Sequence, residues 1–189
     1  MKLAAALSAF ALTAAVAAPA LASPLSDLAI ADPGLKAAGA LRVSSPQIAP
    51  GGAIPQVYSS YGRSLSPPLH WSRGPAGTKS YALIIEDPDA GSPTPFIHWM
   101  MWNVPAGVTT LAESAVPAGA AQGKLMFVGT VGYMGPHPPP GGPHHYHIQV
   151  FALDRALDLP DGTERAQLVG AMSGHVLASG ELVGVFKAP

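Results

Sequence analysis

The residues best suited to chemistry crowd into positions 129–153, and a second stretch, positions 86–98, answers them. The first half of the longer stretch is mostly Gly and Pro, so it cannot continue a helix and has few ladder donors to offer. It reads as a shaped loop that delivers His144, His145 and Tyr146 to the mouth of a strand, a common place for a site. In the second stretch an apolar run ends in Asp87-Pro88-Asp89, and His98 sits near the start of the next apolar run. Carboxylates therefore close one strand and a histidine opens its neighbour. His137, His144, His145 and His147, with Asp87 and His98, are ligand types that zinc or copper accepts, and a metal with an open position can hydrolyse esters. Against that alternative, no His-x-x-x-His pair on a helix is present, and strand alternation turns His145 and His147 away from Tyr146. Nucleophilic chemistry has less support, because Ser92 and Ser173 lie outside any Gly-x-Ser-x-Gly elbow and the chain has no cysteine.

Each residue also has a purely structural reading. Asp-Pro-Asp is commonly a turn that ends a strand. A histidine inside an apolar strand is commonly a hydrogen-bonded core residue, and three consecutive prolines make a stiff loop or a polyproline segment.

The elements that must position these groups are mostly strands. Residues 146–153 place Tyr146, Ile148, Val150 and Ala152 on one face, with His145, His147, Gln149, Phe151 and Leu153 on the other. Residues 81–86 and 99–104 are apolar on both faces, as central strands covered from both sides would be. Further strands are expected at 41–48, 55–59, 69–71 and 179–186, with a long connection over 107–123 and a brief pairing towards 128. Asp161-Gly162-Thr163-Glu164 resembles a capping box, and Leu168, Val169 and Met172 supply a helical stripe that Gly174 interrupts.

Composition bounds the function class. Lys and Arg number 10 against 11 Asp and Glu, a net charge of −1, so there is no basic surplus to neutralise a nucleic-acid backbone. Gly and Pro at 21 each, with few charges, point to a loop-rich β protein. Met1-Lys2, an Ala/Leu-rich core over 3–16 and Ala20-Leu21-Ala22 read as a signal peptide over 1–22, cleaved before Ser23, which predicts a periplasmic or secreted protein. Residues 23–39 then form an extended leader with a helical turn, and 40–189 a single domain that can bury a core without disulfide staples.

Taken together, several ordered motifs carry a resemblance. Asp87-Pro88-Asp89-Ala90, His98 with its apolar strand to Asn103, Gly135-Pro-His-Pro-Pro-Pro-Gly141 and His144-His145-Tyr146 resemble the successive signatures of the phosphatidylethanolamine-binding protein family, in its bacterial Raf-kinase-inhibitor-like branch. The resemblance runs from about Ala40 to the C-terminus and takes in residues 65–71, 75–81 and 177–179. It implies a mainly β fold: a Greek-key-like antiparallel β-sandwich with a small peripheral sheet and one or two short helices. It also implies a small anion pocket built by Asp87, Asp89, His98, Gly135, His137, Pro139, His144 and Tyr146.

Imidazole and backbone N–H groups would hold a phosphate or carboxylate there without bulk positive charge. The aspartates would orient a histidine, accept loop N–H groups or share a proton with the ligand, and affinity should fall above the ordinary histidine pKa of ~6.5. The resemblance implies non-enzymatic binding without a cofactor, with a small phosphorylated or anionic ligand as partner. A serine protease or other protein partner is a second possibility, metal-dependent hydrolysis a third, and a homodimer is compatible with the branch. Three departures bear on the pocket. His145 stands where the family usually has Arg, His137 where the loop tip is usually small, and Phe96 near a position where Trp is frequent.

Overall fold

A computed structural model describes residues 25–125 and 129–189. The expected signal peptide and the end of the 124–128 pairing lie outside the described residues. The strands are β1 (Gly39–Ala40), β2 (Val43–Ser44), β3 (Leu69–Trp71), β4 (Ser80–Asp87), β5 (Phe96–Pro105), β6 (Thr110–Leu111), β7 (Ala121–Gln122), β8 (His144–Leu153) and β9 (Val176–Phe186), with one helix, α1 (Arg165–Met172). The fold is mainly β, as expected. Six strands form the main sheet in the order β1-β9-β8-β4-β5-β7, and β2-β3-β6 form a small second sheet. The main sheet is mixed, because β1 runs parallel to β9 while the other pairings are antiparallel.

Every residue of β4 is buried. The reason is that both faces of the main sheet are covered. Tyr81, Leu83 and Ile85 join Tyr146, Ile148 and Val150 on one face, packed against Leu69, Trp71 and Leu111 of the small sheet. Ala82 and Ile84 join Phe151 and Leu153 on the other, packed against Leu168 and Met172 of α1. The helix begins after Glu164, whose backbone N–H donates to the Gln167 side chain at 3.3 Å, the reciprocal half of a capping box.

Two sequence expectations need correction. Residues 55–59 form no strand; Gln56–Tyr58 is a 3₁₀ turn, closed by Tyr58 N–H to the Pro55 carbonyl at 3.0 Å. Residues 25–35 are not extended either, but form three successive 3₁₀ turns that bury Leu28, Ala29 and Leu35.

What pins those turns is a polar cluster under the sheet. Glu86, fully buried, accepts from Ala29 N–H at 2.8 Å, from the Gln149 amide at 2.6 Å and from Arg165 Nε. Gln149 in turn accepts Ile30 N–H at 2.6 Å, and Arg165 Nη2 donates to the Asp27 carbonyl at 2.7 Å. A buried carboxylate costs several kcal/mol unless its lone pairs are satisfied, and these three donors satisfy it.

Candidate functional site

The end of β4 and the start of β8 meet at one edge of the sheet, and two acid–histidine pairs form there. Asp87, with only 3% of its side chain exposed, accepts from His144 Nδ1 at 2.8 Å through Oδ2 and from Asp89 N–H at 2.8 Å through Oδ1. Asp89 accepts from both the ring Nδ1 and the backbone N–H of His145, each at 2.8 Å. Burial raises the Asp89 carboxyl, but those two donors and the nearby His144 outweigh it and hold the group below the usual carboxylate range. The four residues are thus locked as two adjacent dyads.

His98 reaches the same place from β5 by an irregularity of pairing. Strict alternation would put His98 opposite Trp99. The register between β4 and β5, however, runs Ile85↔Trp99 and then Glu86↔Ile97, so one residue is extra. This bulge leaves Ile97 in the lower core and Trp99 in the upper one and frees His98 to turn toward β8. Its ring packs edge-on against Tyr146 at 5.0 Å and beside Phe96 at 4.9 Å.

His98 Nδ1 lies 2.9 Å from the Met134 carbonyl, which only accepts, so Nδ1 carries the proton and Nε2 is the lone-pair atom of the neutral ring. Burial pushes the His98 pKa down, opposed by the Met134 carbonyl and by Asp87.

The Gly/Pro loop closes the site, and residues 58–64 hold the loop. Ser60 N–H donates to the Pro136 carbonyl and Ser60 Oγ to the Gly135 carbonyl, both at 2.9 Å. Tyr61 Oη donates to the Pro138 carbonyl at 2.7 Å, and its ring stacks on His137 at 4.8 Å. Ser64, held at φ 52°, accepts Gly135 N–H at 2.8 Å. Gly135 sits so close to this segment that a Cβ there would lie 2.4 Å from the Tyr58 carbonyl oxygen.

Asp87, Ala90, Phe96, His98, Met134, His137, Pro138, Pro139 and His144 enclose a cavity of about 230 Å³. Of the candidate site residues, the structure brings Asp87, His98, His137, Pro139 and His144 together around this cavity. Asp89, Gly135 and Tyr146 support the cavity without lining it. Asp89 faces His145, and Gly135 has its N–H spent on Ser64. Tyr146 lies behind His98, its hydroxyl buried without a hydrogen-bond partner. Burial first, and then the charge and the nearby carboxylate of Asp87, raise its pKa, so Asp87 is the acceptor that the hydroxyl faces.

The structure also limits the expected backbone donors. Pro136, Pro138 and Pro139 have no N–H, so with Gly135 engaged only His137 retains one in this part of the loop. His147 turns to the opposite face and pairs with Glu181 at 2.8 Å. Sequence reasoning missed Ser60, Tyr61, Ser64 and Met134, which position the loop and the His98 ring; within their turn-rich segment nothing marks them. Among the described residues no group of three or more His, Asp or Glu side chains is arranged to hold a metal ion.

A larger cavity of about 590 Å³, lined by Thr94, Lys124, Glu164 and Arg165 among others, contains none of these histidines. Its cations are already paired, Lys124 with Glu164 and Arg165 with Glu86.

The model of the phosphatidylethanolamine-binding protein family matches residues 44–187. The chain belongs to this family. It is 41% identical over 141 residues to the UPF0098 protein of Methanothermobacter thermautotrophicus, covering 72% of this chain and 91% of that one. A protein of Mycobacterium tuberculosis named as a lipoprotein, LppC, is 37% identical over 152 residues, 80% of this chain and 74% of that one.

Among solved structures, a phosphatidylethanolamine-binding protein homologue of Chlamydia trachomatis, CT736, superposes with a TM-score of 0.74 at 36% identity, over 80% of this chain and 100% of that one. E. coli YbcL, described as a member of the mammalian family, also gives 0.74, at 32% identity over 79% and 99%. Of the motif residues that carried the resemblance, Asp87, Ala90, His98, His137, Pro138, Pro139 and His144 line the 230 Å³ cavity.

Proposed function

We infer that the protein binds a small anionic group, phosphate-bearing as on a phospholipid head group or a phosphate ester, and does no chemistry on it. The observation that carries this reading is the convergence of the Asp87–His144 pair, His98 and the Met134–Pro139 loop on one cavity sized for such a group. A histidine whose Nδ1 is held by a carboxylate presents Nε2 in a fixed direction, and His137 adds a ring and a backbone N–H at the rim. No serine or cysteine lines the cavity to act as a nucleophile, which favours binding over catalysis.

Family membership supports ligand binding in general, and the imidazoles of His98, His137 and His144 in the lining are groups that can share a proton with an oxyanion. The test is a crystal soaked in methyl phosphate. Density is expected between His98 and His144, and His98→Ala or His144→Ala should remove it while leaving the fold intact. A cavity that stays empty in the wild type would sink the reading.

The site of action in this reading is the cell envelope. The N-terminal pattern over residues 1–22 supports export, as does a relative named as a lipoprotein. Among the described residues no helix is long and apolar enough to cross a membrane. Fractionation of cells expressing the full chain should recover it outside the cytoplasm, shortened by its first 22 or so residues.

A further inference from the structure

We propose that the cavity takes its oxyanion together with a proton, so that a phosphate monoester bearing a P–O–H is selected over an oxyanion of the same shape that has none. The proposal rests on the anion-pocket reading and adds to it which protonation state is bound.

Asp87 contributes a carboxylate whose oxygens each accept one hydrogen bond, from Asp89 N–H and from His144 Nδ1, out of about four lone-pair sites. His98, its Nδ1 committed to the Met134 carbonyl, has a lone pair on Nε2 when neutral. His144, its Nδ1 committed to Asp87, is in the same state unless protonated. No Lys or Arg is among the lining residues.

Apart from the ring and backbone N–H of His137 at the rim, the resting site offers acceptors rather than donors, which is the reverse of a conventional anion site. A fully deprotonated oxyanion would meet acceptors with acceptors, and would stand beside a nearly buried carboxylate.

One proton per ligand resolves the conflict. It can be carried in as P–O–H, which donates to Asp87 or to His98 Nε2. The complex then holds one proton more than the free dianion and free protein, and no bond to phosphorus changes. The groups that face these histidines agree with this. Around His98 stand Asp87 from β4, His144 and Tyr146 from β8, the carbonyls of Met134 and Gly135, and Phe96 and His137 in the wall. Around His144 stand Asp87 and the Asp89–His145 pair. Burial of His98 disfavours a standing positive charge in the empty cavity, so the proton arrives with the guest.

Methyl phosphate and methyl sulfate make the test, since they share a shape and only the first carries a titratable proton near ~pH 6. Titration calorimetry on the full-chain protein, in two buffers of different ionisation enthalpy, reads affinity and proton uptake together. At about pH 7, methyl phosphate should bind at least ~10-fold more tightly than methyl sulfate, taking up close to ~1 proton, and should tighten further towards about pH 5.5. Asp87→Asn replaces an acceptor-only group with an amide that donates, so it should narrow the gap by admitting methyl sulfate. Circular dichroism confirms that this variant is folded, and the wild-type comparison decides the question even if it is not.

Equal affinity for the two esters, or methyl phosphate bound with no proton uptake, overturns the proposal while leaving the anion pocket standing. Methylammonium bound in preference to both esters overturns the proposal and the anion reading alike. So does failure of both esters to bind at any pH.

Discussion

His98 is only 3% exposed, and its behaviour should be visible in stability as well as in binding. Burial holds its folded pKa below the ordinary value of ~6.5, which the unfolded chain keeps. Between those two values the unfolded state binds more protons than the folded one, so stability rises with pH across the window and is lost as pH falls through it. Above ~6.5 neither state is protonated at this site, and the effect vanishes. Urea melts from about pH 5 to 8 should show an acid-side decline that His98→Gln reduces, because glutamine keeps a polar side chain with nothing to titrate. An identical decline in the variant would assign the effect to other groups.

Other residue roles follow from partners that no sequence pattern announces. His145, in the place where the family usually has Arg, is 51% exposed in its side chain and donates twice to Asp89. These two contacts tie the start of β8 to the turn that follows β4.

At the scale of elements, the site depends on a stiff loop being held from outside. Residues 135–139 make almost no regular structure, and the 58–64 segment fixes the Gly135, Pro136 and Pro138 carbonyls and the Gly135 N–H. Gly135 is required for proximity, not for a left-handed turn. Gly135→Ala would drive a Cβ to 2.4 Å from the Tyr58 carbonyl oxygen, a backbone atom that cannot rotate away. We expect it to cost about 1–3 kcal/mol in urea unfolding and to weaken methyl phosphate binding by displacing Met134 and His137. Unchanged stability and affinity would show that the two segments are not coupled. The bulge in β5 is the second device at this scale. A regular strand would carry His98 to the wrong face, and one extra residue between Ile97 and Trp99 corrects it.

The whole molecule is a sheet closed on both faces, and its lower face is completed by the N-terminal 3₁₀ turns that the sequence pattern assigns to a leader. Glu86 is the tie. Glu86→Ala should leave the Arg165 charge and the Ala29 N–H without their acceptor and destabilise the protein by about 3–5 kcal/mol. Hydrogen exchange should show residues 28–35 losing protection first, whereas protection lost evenly across the sheet would argue against a local tie.

The mainly β class, the doubly covered β4 and β5 and the helix near Leu168 were all legible in the chain. Alternation, Gly/Pro punctuation and ordered motifs are local properties written in neighbouring residues. The 3₁₀ turns at 25–35 and 56–58 were not, because short turns lack periodicity and are set by what they pack on. Nor was the division of the candidates into Asp87, His98, His137, Pro139 and His144, which line the cavity, and Asp89, Gly135 and Tyr146, which support it. That division is fixed by hydrogen bonds between residues 36 to 77 positions apart, from His98–Met134 to Tyr61–Pro138. It therefore belongs to the tertiary structure, which alone decides which nitrogen of each histidine is spent and which is left for a ligand.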